Sequence, residues 1–474
     1  MGVLRRIVLP VALGVVTVGA AVGAVVLDQG EATADADGGD EAVVTPVLSP
    51  RRLPELITTP GADLTLRLRL IDLLATAPTD SCLVVEADGR EVLAHQPDTA
   101  LVPASTHKTL VGAAILETLG PEHRFSTELQ AGGMSGAGVV QGDAWLVGGG
   151  DPQLSSDAFA ATDEREEAAR TSMEDLADAI AAAGVTRITG RLVADETRYD
   201  TARTVGSWRP VDGITSPGPL SALAVNDGFS SFPTPADPSA PRVPSPDPPR
   251  SAAATLAFLL AERGVAVDGG IAVGAAPDGA VVLAAIESAP LDELVGQMLT
   301  YSDNHSSELL LKELGLQVAA AGTTAAGADA VGQVLAQAGV DVSGATFVDG
   351  SGLSDTNLVT CDLLAAALAE AGPDSPLGAG LSVAGESGTL VSLFRDTPAE
   401  GRLLAKTGSL NDVRALAGFV TSDVGDDLVF SLLINRAPFV EDADVELRTN
   451  IALVLADYPQ RPPIADVEPV PVAR

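Results

Sequence analysis

The sequence predicts an α/β fold, one domain of mixed sheet and helix split by an inserted β-rich region. Three observations carry this. Short β-like runs lie at both ends of the folded part, Cys82 to Glu86 and Glu91 to His95 early, Arg414 to Val420 and Leu428 to Ile434 late. Helical texture fills Thr106 to Leu119 and Pro290 to Gly315, and returns around Val445 to Ala456. From about Gln130 to Asp200 the texture changes to glycine-rich turns, including Gly148 to Pro152, with one Ala-rich acidic helix near Met173 to Ala183.

The chain opens with Arg5-Arg6 ahead of a weakly polar run from Ile7 to Leu27. Two arginines before an apolar run mark export, with the positive end kept inside. The run is long enough to span a bilayer, while Ala32-Thr33-Ala34 offers a small-residue cleavage site. Residues 1–30 are therefore either a cleaved signal peptide or a membrane anchor, and the protein is expected on the extracytoplasmic face, secreted or anchored. Acids without bases follow, then Pro46, Pro50, Pro54 and Pro60, so 31–60 reads as an acidic, Pro-rich tether. Folded sequence is expected from Gly61. Asp88-Gly89 is a hairpin turn between the first two strands, and Gly120-Pro121 ends the helix that follows. Eight prolines between Phe232 and Pro249 mark a boundary. The expected division is 61–128 plus 255–460 for the catalytic domain, 129–254 for the insert and 461–474 for a Pro-rich tail.

With 64 acids against 28 bases the formal net charge is −36, which removes nucleic acid as a partner because phosphate neutralisation needs basic stripes. Membrane contact is expected only through the N-terminal segment. Four scattered histidines and two cysteines assemble no zinc spacing, so no metal or cofactor is expected. The bases are 25 arginines and only three lysines, and the lysines sit at informative places. Lys108 follows Ser105 by three residues at the start of a helix, which puts both on one face about a turn apart. A lysine of lowered pKa can take a serine proton, and arginine cannot. Lys406 heads Lys406-Thr407-Gly408 before the late strand pair, where a compact charge suits a substrate carboxylate. Lys312 reads as a solvated helix lysine on the helix that carries Ser302-Asp303-Asn304. All three motifs in this order arise by chance in well under roughly one such chain in a hundred.

On Ser105 to Lys108, Ser302 to Asn304 and Lys406 to Gly408 the sequence resembles the serine penicillin-recognising enzymes. More narrowly it resembles the class-C penicillin-binding proteins, the D-alanyl-D-alanine carboxypeptidase/endopeptidase family of the penicillin-binding protein 4 type. Leu223 to Asp227, Asp349 to Ser354 and Ser387 to Leu390 add to the match. The resemblance implies a β-lactamase/transpeptidase-like domain, an antiparallel sheet flanked by helices, and acyl transfer on peptidoglycan stem peptides. It implies Ser105 as nucleophile, Lys108 as general base and Ser302 as proton relay. It implies Asn304, Lys406, Thr407, Gly408 and Ser409 as substrate-binding, with Ser105 and Ser409 N–H groups as the oxyanion hole. Asp195 and Tyr199 are the candidates for the free end of the stem-peptide side chain, and β-lactam antibiotics the covalent inhibitors. Two rivals stay open, a serine β-lactamase and an idle wall-binding sensor. No Glu-x-x-Leu-Asn lies between Asn304 and Lys406, which weighs against the first. Cys82 and Cys361, the only cysteines of an exported chain, are expected to form a disulfide, with two separate buried thiols as the alternative.

Overall fold

The computed structural model describes residues 55–162, 168–209, 216–234, 237–422 and 427–461. The apolar N-terminal run, most of the tether and the C-terminal tail lie outside the described residues. No helix among the described residues is long and apolar enough to cross a membrane.

Helix α1 (Glu55–Leu74) starts inside the segment expected to be tether and carries Pro60 within it. Pro60 is the sixth residue of the helix, past the first turn, so its missing N–H forfeits one intrahelical hydrogen bond. What holds the helix is a stripe at four-residue spacing, Ala62, Leu66, Leu70 and Leu74, all buried. Strands β1 (Ser81–Ala87) and β2 (Arg90–His95) pair across Asp88 and Gly89, both at positive φ, as a two-residue turn of this hand requires. Helix α2 (His107–Leu119) follows. The chain then leaves for the second sheet through β3 (Ser126–Ala131), β4 (Ala144–Val147), helix α3 (Met173–Ala182) and β5 (Leu192–Asp195). Helix α4 (Pro248–Glu262), β6 (Ile271–Val273) and β7 (Val281–Glu287) complete it.

The second sheet has the order β6-β5-β4-β3-β7, and α3 and α4 cover one of its faces through Leu176, Ile180, Leu256 and Leu260. Its last strand pairs with its first, Val281 to Glu287 against Ala131 to Ser126. The insert expected to end at 254 therefore continues to 287. The Pro-rich stretch misleads because Pro248 and Pro249 stand at the head of α4, behind the cap Asp247, where proline is well tolerated.

Helices α5 (Leu291–Thr300), α6 (Asn304–Ala319), α7 (Thr324–Gln337) and α8 (Cys361–Ala371) return the chain to the first sheet. That sheet is finished by β8 (Ser382–Val383), β9 (Leu403–Ser409), β10 (Val413–Val420) and β11 (Leu428–Asn435), then helix α9 (Asp442–Ala456). The strand order is β8-β9-β10-β11-β1-β2, every pair antiparallel. Alternation sorts its side chains onto two cores. Val413, Ala415, Ala417 and Phe419 face α2, α5 and α8, while Leu416, Val420, Phe430 and Leu432 face α1 and α9. Cys82 of β1 and Cys361, the first residue of α8, form a disulfide within the first core, 5.9 Å between Cα atoms.

Candidate active site

Ser105 lies in a single 3₁₀ turn, Ala104–Thr106, that runs straight into α2. Ala104 before it has φ +48°, a left-handed conformation that non-glycine residues rarely adopt and that concentrates at functional sites. Lys108, one turn on, donates from Nζ to Ser105 Oγ at 3.1 Å, to Asn304 Oδ1 at 2.7 Å and to the Ser351 carbonyl at 2.5 Å. All three acceptors are neutral. The lysine is fully buried, and burial lowers its pKa from the usual 10.5 to about 8, with nearby acids, Asp349 foremost, pulling it partly back.

Asn304 opens α6 behind the cap Asp303, whose Oδ1 accepts from Ser306 N. Its Nδ2 donates at 2.5 Å to the Oγ of Ser216, a residue of the insert between β5 and α4. Ser302 precedes the cap at φ +59° and makes no hydrogen bond to either lysine among the described residues. It lines a cleft of about 270 Å³ with Tyr301, Asn304, Asp227, Arg242 and Phe159.

Lys406 is also fully buried, on β9. Burial drives its pKa well below the usual value and the charge of Lys108 adds to that, so the two lysine amines held near each other out of water are pushed toward their neutral forms. Its Nζ donates to the Thr407 carbonyl at 3.0 Å. Thr407 Oγ1 donates to Thr389 Oγ1 at 3.0 Å, which ties the strand to the Ser387–Leu390 turn. Gly408 brings the strand against the serine's turn: a Cβ there would come within 2.7 Å of the Pro103 carbonyl oxygen. Ser409 is the exposed last residue of the strand. Ser105, Lys108, Asn304, Lys406, Thr407 and Gly408 thus converge, from a turn, a helix end and a strand that are distant in sequence.

Asp195 and Tyr199 do not join them. Asp195 Oδ1 accepts from Thr197 N and Oγ1, and Oδ2 from Ala276 N, so its carboxylate is used up inside a buried turn. Tyr199 is buried with its hydroxyl on Glu313 Oε2 at 2.8 Å. Nor is Lys312 solvated: it is 1% exposed and paired with Asp200.

The family model of the D-Ala-D-Ala carboxypeptidase 3 (S13) family matches residues 78–244 and 230–458. The chain belongs to this family. Among curated relatives, the D-alanyl-D-alanine carboxypeptidase of Actinomadura sp. (strain R39) is 32% identical over 502 residues, spanning 88% of this chain and 90% of that one. Carboxypeptidase Rv3627c of Mycobacterium tuberculosis is 34% identical over 359 residues, 74% of each chain. Penicillin binding protein 4 from Haemophilus influenzae has the same fold, with a TM-score of 0.69 over 81% of this chain and 98% of that one at 20% identity.

Reading the sequence for this S13 enzyme missed a second layer behind the site. Asp349 Oδ1 accepts from Gly352 N and Asn357 Nδ2, and Oδ2 from Ser354 N and Trp208 Nε1 at 2.7 Å. Glu308 accepts from the N–H groups of Gly350 and Ser351. His107 Nε2 meets the Asp349 carbonyl at 2.8 Å. For Glu308 a signal existed: it stands four residues after Asn304 on one helix, hence on the same face.

Proposed function

We propose that the chain is a serine D-Ala-D-Ala carboxypeptidase of peptidoglycan stem peptides, working through an acyl-enzyme on Ser105. The 3.1 Å contact between Lys108 Nζ and Ser105 Oγ, with the lysine buried, carries the reading. Neutral Lys108 takes the hydroxyl proton as Oγ attacks the penultimate D-Ala carbonyl. Backbone N–H groups of Ser105 and Ser409 stabilise the oxyanion. The C–N bond breaks, and Ser302 relays the proton from Lys108 to the departing D-alanine amine. Water then attacks the ester and restores the Ser105 hydroxyl. Asn304 holds the substrate amide, Lys406 and Thr407 its terminal carboxylate, and β9 pairs with the peptide backbone as an added strand. Penicillins enter the same step and remain as long-lived esters. Residues 1–30 export the chain as a cleaved signal peptide or a membrane anchor, and of the 31–60 tether the part from Glu55 on is already α1.

A peptide ending in D-Ala-D-Ala should release D-alanine with the wild type and not with Ser105→Ala. No release from the wild type, with Ser105→Ala indistinguishable from it, sinks the assignment and favours an idle wall-binding protein. Rapid turnover of fluorescent penicillin, in place of a lasting adduct on Ser105, would favour a β-lactamase. Digestion of cross-linked wall peptides tests the endopeptidase activity.

A further inference from the structure

Glu308 is fully buried on α6, one turn beyond Asn304. Its Oε1 accepts from Gly350 N at 3.0 Å and Ser351 N at 2.7 Å. The carbonyl of that same Ser351 is an acceptor for Lys108 Nζ. The peptide that steadies the lysine is thus itself gripped by Glu308, while Ser307 Oγ donates to the Gly350 carbonyl beside it. Glu308 Oε2 is buried and has no hydrogen-bond partner. An ionised carboxylate with one oxygen stripped of every donor is far costlier to bury than the neutral acid.

We propose that Glu308 is a positioning residue that works as a neutral carboxylic acid, fixing the Gly350–Ser351 backbone so that Ser351 holds the Lys108 amine against Ser105. The charged and titratable groups around it agree. Asp349, on the same loop, repels a second anion, and Asp303 lies on its own helix. Lys108 on α2 favours an anion, but burial outweighs it and Glu308 is pushed up to about 8. His107, beside Lys108, is itself buried and held toward its neutral form, and Lys406 comes from β9. The neutral state matters to the chemistry. An anion at this point would hold Lys108 as an ammonium ion, whereas a neutral acid keeps the geometry and leaves the amine free to accept a proton.

The inference rests on Lys108 as the base at Ser105, and the pH profile of penicillin acylation tests both. In Glu308→Gln, whose amide oxygen accepts the same two N–H bonds without charge, acylation should stay within about threefold of wild type and its midpoint within about 0.3 pH unit. In Glu308→Asp, one methylene short, acylation should fall at least about tenfold while near-UV circular dichroism stays native. A midpoint about one unit lower or more in Glu308→Gln would show that a carboxylate had been propping up Lys108, and overturns the proposal. So does a Glu308→Gln protein that fails to fold, or a Glu308→Asp protein that acylates at the wild-type rate. A wild type with no pH limb strikes at Lys108 itself, and is told apart because it needs no substitution at Glu308.

Discussion

Replacing Lys108 by arginine keeps the charge and most of the length, and removes the ability to lose a proton at working pH. The size of the effect follows from burial. With its pKa near 8, about a tenth of Lys108 is neutral at pH 7. An exposed lysine near 10.4 would be neutral in only about one molecule in 2,500. Acylation of wild type by a penicillin should therefore rise about tenfold between pH 6 and pH 7 and level off above about pH 8. Lys108→Arg should lose about 10² to 10⁴ in the acylation rate constant, the usual contribution of a general base, and lose the limb as well. Stopped-flow labelling with a fluorescent penicillin reads both quantities. Near-normal labelling of the variant, or a wild-type rate flat from pH 5 to 9, refutes Lys108 as the base.

Three further outcomes are expected. Gly352→Ala would put a Cβ within 2.0 Å of the Ala104 carbonyl oxygen, so acylation should collapse. Gly339→Ala, at a similarly positive φ with nothing within 4 Å, should acylate normally; equal behaviour of the two would contradict the packing argument. Replacing both cysteines by alanine should lower unfolding free energy by up to about 5 kcal/mol, since the bond closes a very long loop, and urea melts measure it. Glu308→Gln should gain stability over wild type as pH rises from about 5 to 8. The raised pKa means that folded wild type holds a proton the unfolded chain gives up across that window, so wild type loses stability there and the amide does not. A melting-temperature difference constant over that range would count against it.

The sequence showed the parts of the site that chemistry constrains locally and concealed those fixed by distant backbone. Serine and lysine at three-residue spacing can be read because a helix turn puts them together. Lys406 stands out because arginine cannot do its work in so arginine-rich a chain. Glu308 reaches the N–H groups of Gly350 and Ser351 from α6, which its spacing from Asn304 alone does not reveal; Asp349 lies in a matched stretch, but that stretch does not tell that its carboxylate ties the loop together. Lys312 misleads for the opposite reason: side-chain type suggests exposure, and Asp200 takes it inside, while the carboxylate of Asp195, read as a substrate contact, is occupied by Thr197 and Ala276 N. Helix α1 escaped notice because Pro60 and the neighbouring prolines outweighed its leucines. The insert's true extent depended on one strand pairing with another 150 residues away, which periodicity does not report.

Helix α6 has a consequence for how such an enzyme changes over generations. Its N-terminal turns carry Asn304 and Glu308, while insert segments grip it from Asp303 to Glu313. Gln153 holds Asp303 and Ser306, Ser216 holds Asn304, the Pro217 carbonyl holds His305, and Arg198 and Tyr199 hold Glu313. The helix is a spar with the reacting groups at one end and the insert's rigging along the rest. A substitution in the insert that breaks one of these holds therefore acts on the placement of Asn304 through the spar, with Ser105, Lys108 and Lys406 untouched.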